Sequence, residues 1–146
     1  MELYEKTCNW FREGTDFMEL TKEKALELHR QLWNYIADES EKQERIVSKV
    51  EAFIHFGWPN IRQWCWCCEY AEKQFRKEET HCPPYQTRCS VCPVVWNKTD
   101  SCCVHCDSPY NIWNWLYEKG DKADWYDLQN AIKYAREIAN LPERKE

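Results

Sequence analysis

Apolar residues recur at three- and four-residue steps through much of the chain, a spacing typical of amphipathic helices. The first stripe follows Thr21, whose hydroxyl is suited to cap a helix that we expect to run to about Asp38. This stripe consists of Ala25, Leu28, Leu32 and Ile36, widened by Trp33. We therefore predict a helix with one face buried in the core.

A second helix is predicted by the capping-box sequence Ser40-Glu41-Lys42-Gln43. Its apolar positions are Ile46, Val47, Val50, Phe53 and Ile54, and Gly57 with Pro59 is expected to end it. The link at residues 37–40 is short enough for an antiparallel helical pair. His29 and His55 lie on these helices, where we expect ordinary surface or boundary positions.

Three further helices follow in the second half of the chain. One is predicted over residues 69–79, a second begins at Ser108-Pro109, and a third begins near Asp121. The last carries a core-facing stripe of Trp125, Leu128, Ala131, Ile132, Ala135, Ile138 and Ala139. We expect the tail 143–146 to be frayed and residues 1–20 to form a short helix or packed arm.

Length and composition indicate one folded domain. The chain has 146 residues, of which 43% are hydrophobic and 15% aromatic. We predict a mostly α fold of about five helices around an irregular zinc-knuckle core. Its parts are an N-terminal helical part (1–60), a zinc-binding part (61–107) and a C-terminal helical pair (108–142).

Nine of the ten cysteines fall between Cys65 and Cys106, a stretch broken by prolines. Cys65 and Cys68 form one C-x2-C pair and Cys89 and Cys92 another, which is the paired-knuckle pattern of tetrahedral zinc sites. These four residues are the predicted zinc ligands. An iron–sulfur cluster uses the same thiolates, and buried free or disulfide-linked cysteines are a further alternative.

A second metal could be built from the remaining donors of this stretch. Cys103 and Cys106 form a third C-x2-C pair. The other candidates are His81, Cys82, Cys102 and His105. The spacing does not decide which sulfurs converge on one ion.

The motifs of several enzyme classes are missing from the sequence. A shell of four cysteines leaves no coordination position for a catalytic water. The chain has no H-E-x-x-H, Walker, GxGxxG or Gly-x-Ser-x-Gly motif and no zinc-deaminase pattern. We therefore expect a protein that is not an enzyme.

Charge and hydropathy bear on partners and compartment. The net charge is −5 without a basic segment, which disfavours a nucleic-acid polymer as a partner. No apolar run approaches the length of a membrane span, and the first residues do not resemble a signal peptide. The expected compartment is a reducing cytoplasm, where clustered cysteines favour metal binding.

Tryptophan is abundant, and four of the nine indoles are candidate binding residues. Trp64 and Trp66 lie beside the first cysteine pair. Trp113 and Trp115 are two positions apart, so they cannot share one helical face. We expect Trp115 to point away from the core, where an exposed indole could anchor a partner.

Three motifs follow one another in the second half of the chain: Cys65-Trp66-Cys67-Cys68-Glu69-Tyr70, Cys89-Ser90-Val91-Cys92-Pro93 with Trp96, and Ser108-Pro109-Tyr110 with Trp113. In these motifs the chain resembles small phage- and prophage-encoded proteins of unassigned function. The ending 133–142 is similar too. The resemblance implies an accessory phage protein in the cytoplasm of a bacterial host. Cys67, Cys82, Cys103 and Cys106 go beyond its pattern.

The expected function is binding, to modulate a bacterial host or defence protein, with zinc in a structural role. The alternatives are a protein that sequesters a nucleotide-type immune signal between aromatic side chains, and a zinc-finger regulator of nucleic acid. The sequence does not decide between a monomer and a homodimer.

Overall fold

Five α-helices account for most of the computed structural model, which describes residues 20–61, 64–76, 91–96, 103 and 108–145. They are α1 (Lys22–Gln43), α2 (Lys49–Phe56), α3 (Trp66–Arg76), α4 (Pro109–Glu118) and α5 (Trp125–Ala139), with a short 3-10 turn at Gly120–Lys122. The mostly helical fold is thereby confirmed. The arm or helix predicted for the first 20 residues lies, except for Leu20, outside the described residues.

Helix α1 is the central element, because it packs against α2, α3 and α5. Thr21 caps it by accepting a hydrogen bond from the Lys24 amide at 3.1 Å, as predicted. Its buried residues include the whole predicted stripe of Ala25, Leu28, Leu32, Trp33 and Ile36. Each large apolar side chain buried here contributes about 1.5–3 kcal/mol.

The capping box predicted at Ser40 is wrong. Helix α1 continues to Gln43 and closes at Glu44, whose backbone is left-handed with φ of 55°. Ser40 is buried, and its hydroxyl accepts a hydrogen bond from the Val47 amide at 2.9 Å. The residues after Ser40 are good helix formers, so the first helix extends through them.

Helix α2 starts instead at Ser48, which forms a complete capping box with Glu51. The Ser48 hydroxyl accepts from the Glu51 amide at 3.0 Å, and the Glu51 carboxylate accepts from the Ser48 amide at 2.9 Å. Gly57 ends the helix with φ of 68°, as predicted. The link between α1 and α2 is therefore residues 44–48.

Glu51 should make stability depend on pH in the acid range. Hydrogen bonds from Arg45 lower the pKa of its carboxyl to about 2. A lowered folded-state pKa contributes stability above the unfolded pKa near 4.5, and this contribution is lost as the pH falls towards about 2. We expect Glu51→Gln to flatten this loss and to lower stability at pH 7 by about 1 kcal/mol. Urea unfolding at several pH values measures both effects, and an unchanged acid slope would contradict the assignment.

Helix α5 begins at Trp125, about one turn later than predicted. Asp124 caps it by accepting from the Asp127 amide at 2.8 Å, and the Asp127 carboxylate accepts from the Asp124 amide at 3.1 Å. The core position predicted for Trp125 is wrong, because at the first position of the helix its indole is 64% exposed. The rest of the stripe, from Leu128 to Ala139, is buried as predicted.

The C-terminal segment is hydrogen-bonded to the segment around Cys92, so the prediction of a frayed tail is wrong for residues 143 and 144. The Val95 amide donates to the Pro142 carbonyl at 2.9 Å, and the Arg144 amide donates to the Pro93 carbonyl at 2.7 Å. The Arg144 Nε also donates to the Cys92 carbonyl at 2.7 Å. These bonds fix the position of a predicted zinc ligand.

His29 is buried, contrary to the expected surface position. Its Nε2 lies 2.9 Å from the Ile138 carbonyl oxygen, which joins α1 to α5. Burial lowers the pKa of this imidazole, so the ring is neutral at pH 7. His55 is exposed and stacks on Tyr35 with ring centroids 4.4 Å apart.

Candidate metal centre

Five cysteines come together beside the start of α3, and none of them forms a disulfide. Their thiols are in hydrogen-bonding contact in pairs: Cys65 with Cys67 and with Cys68, Cys67 with Cys92, and Cys68 with Cys103. We call these five residues the thiol cluster. It joins three regions that are distant in sequence, and its members are buried or partly buried.

The backbone before α3 positions the first thiol. Trp64 has a left-handed backbone with φ of 50°, an uncommon conformation for a bulky residue. Its amide donates to the Ile61 carbonyl at 3.2 Å, which closes a tight turn. This turn places Cys65 immediately before the first helical residue.

Cys65 occupies the position of a helix N-cap. Its sulfur accepts a hydrogen bond from the Cys68 amide at 3.4 Å, and its carbonyl accepts from the Glu69 amide at 3.0 Å. A sulfur at this position receives the partial positive charge of the helix N-terminus, which favours a thiolate. The first C-x2-C pair is therefore built on the first turn of a helix.

Helical geometry sends neighbouring thiols in different directions. Cys65 and Cys68 are three residues apart, so both lie near the same face of the first turn. Cys67 is rotated by roughly 100° from Cys68, and its thiol contacts Cys92 instead. The cluster thus has two arms, one through Cys68 to Cys103 and one through Cys67 to Cys92.

The contacts within the cluster make its thiols chemically unequal. Hydrogen bonds from Cys67 and Cys68 hold the pKa of Cys65 well below its usual range, against the opposing effect of burial. Burial raises the pKa of Cys67, and the contact with Cys103 is the main cause of the raised pKa of Cys68. Cys65 is therefore the group of the cluster best suited to be a thiolate.

Three of the thiols, those of Cys65, Cys68 and Cys103, line a small cavity of about 20 Å³. Its other walls are Trp33, Lys49, Trp64, Trp96 and Tyr110. The Lys49 ammonium donates to the Tyr110 hydroxyl at 2.7 Å, which brings a positive charge to the cavity wall. A space of this size accommodates one water molecule or one metal ion.

The Cys92 arm is held by aromatic and main-chain contacts. The Trp96 indole N–H donates to the Cys92 sulfur at 3.3 Å, and its ring packs edge-on against His29 at 5.7 Å. The Arg144 guanidinium, from the C-terminal segment, donates to the Cys92 carbonyl. Val94 and Trp96 are buried in the core.

Three of the predicted ligands lie in the cluster: Cys65, Cys68 and Cys92. Cys103, from the second predicted set, is beside Cys68. Cys67 belongs to neither predicted ligand set and links Cys65 to Cys92; its position between Cys65 and Cys68 gives no spacing signal. The remaining candidates, His81, Cys82, Cys89, Cys102, His105 and Cys106, lie outside the described residues.

Within the described ranges, no group of three or more histidine, cysteine, aspartate or glutamate side chains has the arrangement of a metal site. The thiol contacts connect the cysteines pairwise, in the order Cys92, Cys67, Cys65, Cys68 and Cys103. The ligand set therefore stays a prediction.

The four candidate binding tryptophans differ in exposure. Trp66 and Trp113 are 1% exposed and belong to the core, and Trp64 packs edge-on against Phe53 at 5.2 Å. Trp115 is 60% exposed, as its helical spacing predicts. Of the four, only Trp115 presents most of its indole to solvent.

Comparison of the chain with protein-family models, curated proteins and solved structures returned no match. No helix in the described ranges has the length and apolar character needed to cross a membrane.

Proposed function

We propose that this chain is a non-enzymatic binding protein whose thiol cluster holds a structural zinc ion. The observation that carries the proposal is the cavity of about 20 Å³ lined by Cys65, Cys68 and Cys103. Zinc binds thiolates at about 2.3 Å, and tetrahedral sites with four cysteines are closed. The pairwise hydrogen-bonding contacts bring five sulfurs into one cluster, from which the proposed ion would take its ligands.

The proposed ligand set starts from Cys65, Cys68 and Cys103. The fourth ligand is Cys92 or one of Cys82, Cys89, Cys102 and Cys106, which lie outside the described ranges. The sequence-based set of Cys65, Cys68, Cys89 and Cys92 is the rival assignment. The zinc content of Cys103→Ser separates the two, because this variant should release zinc in the first arrangement and retain it in the rival one.

The surroundings of the cluster favour a structural ion over a catalytic one. Trp33, Trp64 and Trp96 form much of the cavity wall, and Trp33 and Trp96 are buried. Such walls leave little room for a substrate beside the ion, whereas a catalytic zinc needs an open coordination position. The ion would join three regions: α3, the segment around Cys92, and Cys103. Among the described residues, no strand or helix links them.

The binding role that we propose is modulation of a bacterial host or defence protein in the bacterial cytoplasm. It is supported by the resemblance to phage accessory proteins and by the exposed indoles of Trp115 and Trp125. Exposed tryptophans are enriched among residues that anchor protein interfaces.

The test is affinity capture from bacterial lysate with the zinc-loaded protein. We expect one host protein at stoichiometric yield, retained when bound nucleic acid is removed by nuclease. Capture that disappears with nuclease would favour the nucleic-acid alternative. No captured protein, together with a thermal shift in a nucleotide panel, would favour the sequestering alternative.

A further inference from the structure

A groove of about 670 Å³, which shares no lining residue with the cavity at the thiol cluster, lies between the end of α1 and the turn that joins α4 to α5. Its size is within the range of about 300–1,000 Å³ typical of ligand pockets. We call it the acidic groove and define it by Glu44, Ile46, Tyr117, Asp121, Trp125 and Leu128.

The floor and one wall of the acidic groove are apolar. Leu128 is buried, Ile46 is partly buried, and the rings of Tyr117 and Trp125 are exposed. Trp125 is 64% exposed although it begins a helix whose other apolar residues are buried. A flat, exposed indole beside an apolar floor is a surface on which a side chain can stack.

The rim of the groove is negatively charged. Its lining includes four carboxylates, on Glu41, Glu44, Asp121 and Asp124, against one guanidinium, on Arg45. Arg45 donates to the Glu51 carboxylate at 3.0 Å, which compensates its charge.

The carboxylates of the groove differ in their ion-pair partners. Arg136 binds the Glu41 carboxylate at 2.8 Å, so that charge is compensated. Among the described contacts, Glu44 and Asp121 have no cationic partner. The groove therefore combines aromatic faces with uncompensated negative charge.

A second exposed indole of this chain, Trp115, already has a cation over its ring. The ammonium of Lys119 lies 4.3 Å from the ring centroid of Trp115, and it also pairs with Asp127 at 3.1 Å. That site joins an exposed indole, a carboxylate and a cation. Trp125 has the indole and the carboxylates, but within the described residues no lysine or arginine lies over its ring.

We propose that the acidic groove binds a basic peptide segment of a partner protein, with an arginine or lysine side chain stacked on Trp125 and its charge directed to Asp121 and Glu44. Cation–π contact and charge complementarity supply the specificity, and the apolar floor accepts a neighbouring hydrophobic side chain. The proposal rests on the proposed binding role but is independent of the zinc ion.

Other occupants fit the groove less well. A nucleotide or nucleic-acid phosphate would meet repulsion from Glu44 and Asp121. A second copy of the chain docked through the same groove would place these carboxylates against their own equivalents. A segment with basic and apolar residues meets neither obstacle.

The test uses three end-blocked hexapeptides in which leucine alternates with arginine, glutamine or glutamate. Binding is followed by the indole N–H signal of Trp125 in NMR spectra of the full-length protein, assigned with Trp125→Phe. We expect the arginine peptide to shift this signal with a Kd on the order of 10–500 μM and the glutamate peptide to leave it unchanged.

Variants locate the site. Trp125→Ala should weaken binding of the arginine peptide at least about tenfold. Glu44→Gln combined with Asp121→Asn should weaken it similarly and reduce its dependence on salt. Trp115→Ala is the matched control, because this indole is equally exposed but lies outside the groove, and it should change the affinity less than about twofold.

Equal binding of the three peptides, or an unchanged affinity in Trp125→Ala, would overturn the proposal. Comparing host-protein capture by wild type and by Trp125→Ala tests the proposed groove separately from the proposed binding role. Capture by both proteins to the same extent would refute the groove and leave the binding role intact. Capture by neither, with no peptide binding, would refute both.

Discussion

Cys65→Ser is expected to release the zinc and to lower the midpoint of thermal unfolding by about 10 °C or more. Cys65 contacts both arms of the thiol cluster and lines its cavity, so its loss affects every proposed arrangement of ligands. Structural zinc contributes its binding energy to folding, and a loss of about 3–5 kcal/mol corresponds to roughly this shift for a chain of this size. Elemental analysis and calorimetry on the same samples measure both quantities.

Cys8→Ser is the matched control, because Cys8 belongs to none of the proposed ligand sets. It should retain at least one zinc per chain and the wild-type midpoint. A strong chelator added to wild type should reproduce the effect of Cys65→Ser. A wild-type protein that is fully folded without metal, with a midpoint unaffected by chelator, would show that the thiols serve only as packed core residues.

Trp113→Ala is expected to lower the free energy of unfolding by about 3–5 kcal/mol, because it removes a large side chain from the middle of the core. Trp113 packs edge-on against Trp33 with ring centroids 4.9 Å apart and stacks on Tyr117 at 5.4 Å. Its loss leaves a cavity between α1 and α4. Urea denaturation at pH 7 measures the change.

Trp115→Ala provides the comparison within the same helix. The two indoles are separated by one residue but are 1% and 60% exposed. Removing Trp115 forfeits its contact with Lys119 and should lower stability by less than about 1 kcal/mol. Similar losses in the two variants would contradict the burial that the structure assigns to α4.

The helices could be predicted where apolar spacing and cap residues agree. Thr21 and Ser108 cap helices as predicted, and the stripes of α1 and α5 are buried. The start of α2 could not be assigned in the same way, since Ser40 and Ser48 both begin a capping-box sequence. Only the fold shows that Ser40 is buried and that its hydroxyl accepts from the Val47 amide, so that Ser48 begins the helix.

Trp125 shows a related limit of periodicity. Its spacing from Leu128 and Ile132 places it on the core stripe, yet its indole, at the first position of the helix, is 64% exposed. The charge pattern carries a usable signal: Asp124 and Asp127 form a capping box, which marks Trp125 as the first helical residue. A cap residue therefore shows where a helix begins and also which apolar residue, at the first helical position, can be exposed.

The C-x2-C pairs could be identified from the sequence, but the cysteines that they contact in the fold could not. Spacing identifies Cys65 and Cys68 because a C-x2-C pair places two thiols on one turn. It cannot show that Cys67 turns towards Cys92, or that Cys103 lies beside Cys68, because these contacts depend on how distant segments pack. Sequence separation carries no information on such contacts.

The hydrogen bonds between Arg144 and the segment around Cys92 also set an order of events during synthesis. The two residues are 52 positions apart. At about 5–20 residues per second, a ribosome adds Arg144 roughly 3–10 s after Cys92. The cysteines of α3 and Cys92 are therefore all synthesised before the segment that fixes Cys92 exists. If the thiol cluster binds zinc as proposed, the nascent chain binds the ion first and forms the hydrogen bonds from Arg144 to the Cys92 segment afterwards.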